Sequence, residues 1–139
     1  MKRNLLKIFF AVSIALLSTL GLNAQTHNDN TIYTFGDLDE YAEYPGGKQG
    51  IREFLVANIV IPQEVIAAEA FCTVYVDYVV EKDGSVSNIS INNPSNDYYV
   101  KLCEETAMEA VKKLKNFTPA KIGGNTVRSK YTVPVGVAL

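Results

Sequence analysis

Residues 71–91 constrain this chain more than any other stretch, because they read as a long strand, a tight turn and a second strand in immediate succession. Side chains alternate sides along a strand. Cys72, Val74, Val76, Tyr78 and Val80 therefore share one face, and Phe71, Thr73, Tyr75, Asp77 and Val79 share the other. The first face is almost wholly apolar and the second is mixed. Lys82-Asp83-Gly84-Ser85 supplies the turn, since Asp tolerates the left-handed region and Gly enters it without steric cost. A hairpin with one apolar face must be covered by other elements of the chain.

Two helices are placed to cover it. After Tyr44-Pro45-Gly46-Gly47, the apolar residues Ile51, Phe54, Leu55 and Ile59 recur at spacings of three and four. Ile61-Pro62 stops this helix, because the residue before a proline is pushed out of the helical region. Pro62 can in turn open a short helical piece over 62–70. Beyond the hairpin, Asn96 or Asp97 caps a helix running to about Lys115, with Val100, Cys103, Ala107, Val111 and Leu114 along one stripe. Gly123-Gly124-Asn125 then turns the chain into a third strand, from Val127 to Val137. Val127, Ser129, Tyr131, Val133 and Val135 face one way, and Arg128, Lys130, Thr132 and Pro134 the other. Pro134 has no amide hydrogen, so this strand belongs at a border of the sheet. A crossover from the second strand through the helix to the third can straddle the first. The expected fold is α+β: a three-stranded antiparallel sheet in the order second, first, third, covered on one face by two main helices.

The N-terminus carries Lys2, Arg3 and Lys7 before an apolar run that closes on Leu22-Asn23-Ala24, the pattern of an export signal over 1–24. Ser13, Ser18 and Thr19 within the run and the small residue at the cut favour cleavage. The alternative is an uncleaved membrane anchor, as the run approaches the ~20 residues that span a bilayer. Residues 25–43 read as a polar lead-in with a short extended piece at Ile32-Tyr33-Thr34-Phe35, and 44–139 as the domain proper. Three of the 13 basic residues and none of the 15 acidic ones precede the cut, so the exported chain carries a net charge of −5. With no basic cluster beyond Lys112, Lys113 and Lys115 at a helix end, where cations suit the dipole, there is no nucleic-acid footprint.

The chemistry-bearing residues are few. Cys72 opens the first strand, and the helix after the second strand carries Cys103 over the same end of the sheet, both pointing inward by pattern. They form either a disulfide, as export permits, or two separate buried thiols. The single histidine, His27, lies in the polar lead-in, so neither a metal site nor a Ser-His or Cys-His machine has support. Asp77, Glu81, Asp83 and Glu104 are the only candidates for convergent carboxylates, and surface carboxylates on a small sheet are ordinarily solvated. The chain reads as a non-enzyme without a cofactor.

Five segments together carry a resemblance: Tyr44-Pro45-Gly46-Gly47 before a helix, Ile61-Pro62, Val79-Val80-Glu81-Lys82-Asp83-Gly84-Ser85-Val86, Phe117-Thr118-Pro119-Ala120 and Tyr131-Thr132-Val133-Pro134-Val135. In this order and spacing the chain, from about Glu43 to Leu139, resembles the C-terminal domain of TonB proteins in the form common among the Bacteroidetes. Phe117 stands where the family usually has another aromatic before a proline. The resemblance implies a periplasmic, non-catalytic module that grips a short segment of an outer-membrane transporter, the TonB box, or a related envelope protein, by adding it as a strand to the third strand. The residues so implied are Val127, Arg128, Ser129, Lys130, Tyr131, Thr132 and Val133. An unpaired edge is suited to this on physical grounds, because it presents a row of free amide and carbonyl groups. Arg128 and Lys130 there serve equally as gatekeepers against unwanted pairing. The sequence shows no Pro-rich or charged spacer, which leaves two roles open: an exported adaptor or competitor, and a short transducer anchored in the inner membrane through 1–22. Homodimerisation through the same edge is a further reading.

Overall fold

The computed structural model describes residues 30–138; the export signal expected over 1–24, and His27, lie outside the described residues. In chain order the elements are β1 (Ile32–Tyr33), a 3₁₀ turn (Phe35–Asp37), α1 (Gly47–Asn58), α2 (Gln63–Ala67), β2 (Cys72–Val80), β3 (Val86–Ile91), α3 (Tyr98–Lys112), β4 (Ala120–Ile122) and β5 (Asn125–Val137). The sheet runs β1-β5-β2-β3, with β4 also paired to β5.

The expected order of the three long strands is present, with β2 central between antiparallel β3 and β5. Cys72, Val74, Val76, Tyr78 and Val80 are all buried under the helices, together with Leu55 of α1, Val65 of α2 and Cys103, Ala107 and Val111 of α3. Each such aliphatic side chain contributes about 2 kcal/mol by leaving water, so the alternation in β2 and the stripe on α3 bind the two layers. Asp97 caps α3, its carboxylate accepting from the Val100 amide at 3.0 Å. The helix ends at Lys112, a turn earlier than its apolar stripe suggests, and the chain leaves through Asn116 at φ 66°.

The hairpin turn is tighter than composition alone conveys. Asp83 accepts from both the amide (3.0 Å) and the hydroxyl (2.6 Å) of Ser85. Gly84 has φ 84°, and a Cβ there would lie 2.1 Å from the carbonyl oxygen of Phe117. A second close approach is at Gly50, where a Cβ would lie 2.0 Å from the Pro45 carbonyl, so α1 begins packed directly on the preceding loop. In β3 the register slips between Asp77 and Val79, and Asn88 takes φ 48° to absorb the extra residue.

Two short strands go beyond the expected three. β4 forms a hairpin with the start of β5, Ala120 opposite Val127 and Ile122 opposite Asn125. β1 lies parallel to β5, Ile32 opposite Arg128 and Tyr33 opposite Ser129, which makes the sheet mixed rather than wholly antiparallel. Residues 30–43, with the extended piece expected at Ile32-Tyr33 now paired as β1, are therefore integrated into the fold. Beyond β1 they lace to the β4 region: the amides of Asp39 and Glu40 donate to the Lys121 carbonyl, and Glu43 and Thr118 exchange two backbone bonds of 2.9 and 2.8 Å.

Candidate functional site

Helices cover one face of the sheet, and the other carries a polar network over half its length. Asp77 is buried to 7% exposure. Its carboxylate accepts from the Thr132 hydroxyl at 2.6 Å and from Asn92 Nδ2 at 3.2 Å, and it pairs with Lys130 Nζ at 3.1 Å. Burial pushes its carboxyl up, but the Thr132, Lys130 and Asn92 hydrogen bonds together outweigh it and hold Asp77 below the ordinary value. A turn of the ladder away, Glu81 accepts from Arg128 Nε and Nη2 at 2.8 and 2.9 Å and from the Ser87 hydroxyl. The guanidinium is the main reason the Glu81 carboxyl is lowered, with burial opposing it. The helix-covered side is different in kind: burial, with Tyr131 adjacent, pushes the Tyr78 hydroxyl up to about 12.

The border of β5 follows from the ladder. The Tyr75 carbonyl accepts from the Asn92 amide at 2.9 Å, on the β3 side. In an antiparallel ladder a residue's N–H and C=O point to the same side, so Tyr75 is not hydrogen-bonded to its β5 partner, Pro134. The β2–β5 register is regular from Cys72 opposite Val137 to Val80 opposite Ser129. By alternation Lys130, Thr132, Pro134 and Gly136 direct their main-chain groups away from β2. Pro134 thus sits where its missing N–H breaks nothing in the ladder. Among the described residues no strand pairs with β5 on this side beyond Ser129.

The residues expected to form an open edge consequently divide. Arg128 and Ser129 are already paired on the outer side by β1, and Ser129 is flanked on both sides, by Tyr33 and by Val80. Val127 pairs with Ala120 of β4. The expectation of an edge open along all of 127–133 is corrected here, because the chain's own segment 30–33 occupies its first part. Ser129 is wholly buried, and its hydroxyl has no hydrogen-bond partner among the described residues. Lys130, Tyr131, Thr132 and Val133 lie beyond β1; of these Tyr131 turns its side chain to the helix side, where its hydroxyl accepts from the Ala42 amide at 2.7 Å. Gly136 was not among the expected residues, although period-2 counting from Thr132 reaches it.

Cys72 and Cys103 are joined by a disulfide with Cα atoms 6.5 Å apart, which fastens the start of β2 to α3. The carboxylates do not converge. Asp77 and Glu81 serve the sheet network, Asp83 closes the hairpin turn, and buried Glu104 accepts from the Ser95 amide at 2.7 Å, fixing the loop before α3.

A sequence-family comparison matches residues 57–136 to the family described as Gram-negative bacterial TonB protein C-terminal. The match spans more than half of the chain, including α2, all of the hairpin, α3 and β5 up to Gly136, and the chain belongs to this family. It is a TonB-like module related to envelope transport, from a family of non-enzymatic protein-interaction domains. No curated protein matches the chain in sequence. Among the described residues no helix is long and apolar enough to cross a membrane.

Proposed function

We propose that this chain is a periplasmic binding module that takes an extended, TonB-box-like segment of an outer-membrane transporter as an added strand on the outer border of β5. The observation that carries this reading is the border beyond Ser129, unpaired among the described residues, where Thr132 and Gly136 direct both N–H and C=O outward and Pro134 its C=O. Backbone bonds along such an edge bind any extended peptide, and side chains alternate between the two faces to give selectivity. Family membership supplies the envelope setting. The test compares three chains for recovery of outer-membrane transporters from envelope extract, with partners identified by mass spectrometry. Thr132→Pro removes one of the outward amides. Thr132→Val removes only the hydroxyl that bonds Asp77. Recovery by the native chain and by Thr132→Val, and its loss in a Thr132→Pro chain that retains its circular dichroism, is the expected result. Equal recovery by all three refutes docking at this border.

A further inference from the structure

β1 and the free part of the border lie on the same side of β5, so a guest strand cannot run the full length of that side without taking the place of Ile32 and Tyr33. A two-residue parallel ladder is weak by itself. This one is held from outside the ladder. Arg128 Nη1 donates to the Asn30 carbonyl at 2.8 Å while Nε and Nη2 of the same guanidinium are fastened to Glu81, so one side chain ties the arm to the sheet. Just past β1, the Thr34 amide and hydroxyl both donate to the Asp37 carboxylate, closing the 3₁₀ turn. Asp39 then accepts from the Gly123 amide at 2.6 Å.

We propose that β1 is a built-in end stop that sets the register of a guest strand on β5, an inference that rests on the docking reading above. The guest meets Tyr33 at one end and is confined to the stretch facing residues 130–136. Within that stretch β5 directs carbonyls outward at Lys130, Thr132, Pro134 and Gly136 but amides only at Lys130, Thr132 and Gly136, because Pro134 has none. The edge is richer in acceptors than in donors. The partner it fits is a short extended peptide that brings its own N–H groups to these carbonyls, with any proline kept out of the bonded positions.

The experiment is amide exchange followed by nuclear magnetic resonance on the labelled full chain, with a synthetic TonB-box peptide from a recovered transporter as the probe. At saturation the Thr132 and Gly136 amides are expected to exchange about tenfold more slowly or better, as newly bonded groups do. If they do not slow, the docking reading itself fails. With those amides protected, retention of exchange protection over residues 31–34 supports the stop, and loss of that protection overturns it in favour of displacement. A second chain, Tyr33→Pro, breaks β1 without altering β5. Short-range proton–proton nuclear Overhauser contacts between the peptide end and the amides of residues 126–128 are expected in this variant and absent in the native chain. The same contacts in both chains overturn the proposal.

Discussion

Where Val79 and Val80 face Lys130 and Ser129, the β2–β5 ladder is clad: the Asp77 and Glu81 clusters lie on its helix-free face, and β1 closes the outer side of β5. Where Thr73 and Tyr75 face Gly136 and Pro134, the same ladder is bare. Tyr75 is 53% exposed and neighbouring Phe71 75%, and no strand closes β5 there among the described residues. The bare end is also the one that the disulfide fastens to α3. A strand can stay in place with an open edge if something other than its neighbours restrains it. Here a covalent tie does so at the end left free for a guest, and polar contacts do so at the end that is closed.

Breaking the tie is the strongest test of that division. Cys72 and Cys103 close a loop with a sequence separation of 31, and removing such a cross-link frees the unfolded chain by about 3 to 4 kcal/mol. A Cys72→Ala/Cys103→Ala chain should lose about that much stability in urea titration. It should also show faster amide exchange around residues 72–75 and 134–137 than around 77–80 and 129–132. Uniform acceleration over both ends would dissolve the comparison. At the clad end, Gly84→Ala places a Cβ against the Phe117 carbonyl at a positive φ, a change expected to cost more than about 1 kcal/mol. Its effect should leave the exchange of the Thr132 and Gly136 amides unchanged.

Acid separates the ends without mutation. The Asp77 and Glu81 carboxyls are held below their ordinary values of 3.8 and 4.5 in the folded chain. Groups lowered by folding add stability that is complete above the unfolded value and is lost as pH falls through it toward the folded one. The urea midpoint should therefore hold steady down to about pH 5 and fall below that. In an Asp77→Asn/Glu81→Gln chain the fall should be shallower. An unchanged slope in the double variant would remove these clusters from any account of the clad end.

The long-strand architecture was legible in the sequence because it rests on periodicity. Alternation in 72–80, the stripe from Val100 to Leu114 and the Asp97 cap each state their geometry locally, and crossover rules then order the three strands. β1 was legible only as an extended piece at Ile32-Tyr33. Its partner was not, because a two-residue ladder has no periodicity and its anchor is a guanidinium 98 positions away from Asn30. The open border was therefore read as longer than it is. The Asn88 bulge was hidden for a related reason: its polar neighbours Ser87 and Ser90 satisfy a strand pattern in either register. The polar network was half visible, in that Asp77 and Lys130 stand out on strands, whereas only the register of β2 on β5 brings them together.

The smallest expected effect lies at the junction of the two ends. Thr132 belongs to both: its hydroxyl donates to Asp77 in the clad network, and its amide and carbonyl are the first fully free pair of the bare border. Thr132→Val keeps the strand and its main chain but withdraws one donor from the carboxylate, which retains Lys130 and Asn92. The expected loss is about 1 kcal/mol, read as a small shift of the urea midpoint near neutral pH. Because the Thr132 bond is the foremost of the contacts that offset burial at Asp77, its removal should raise the Asp77 carboxyl toward its ordinary value, so that less stability is lost below about pH 5 than in the native chain. Guest binding should be retained, since no outward backbone group has changed. Were binding lost with the hydroxyl, the network and the border would act as one site, and the division between a structural end and a docking end would have to be abandoned.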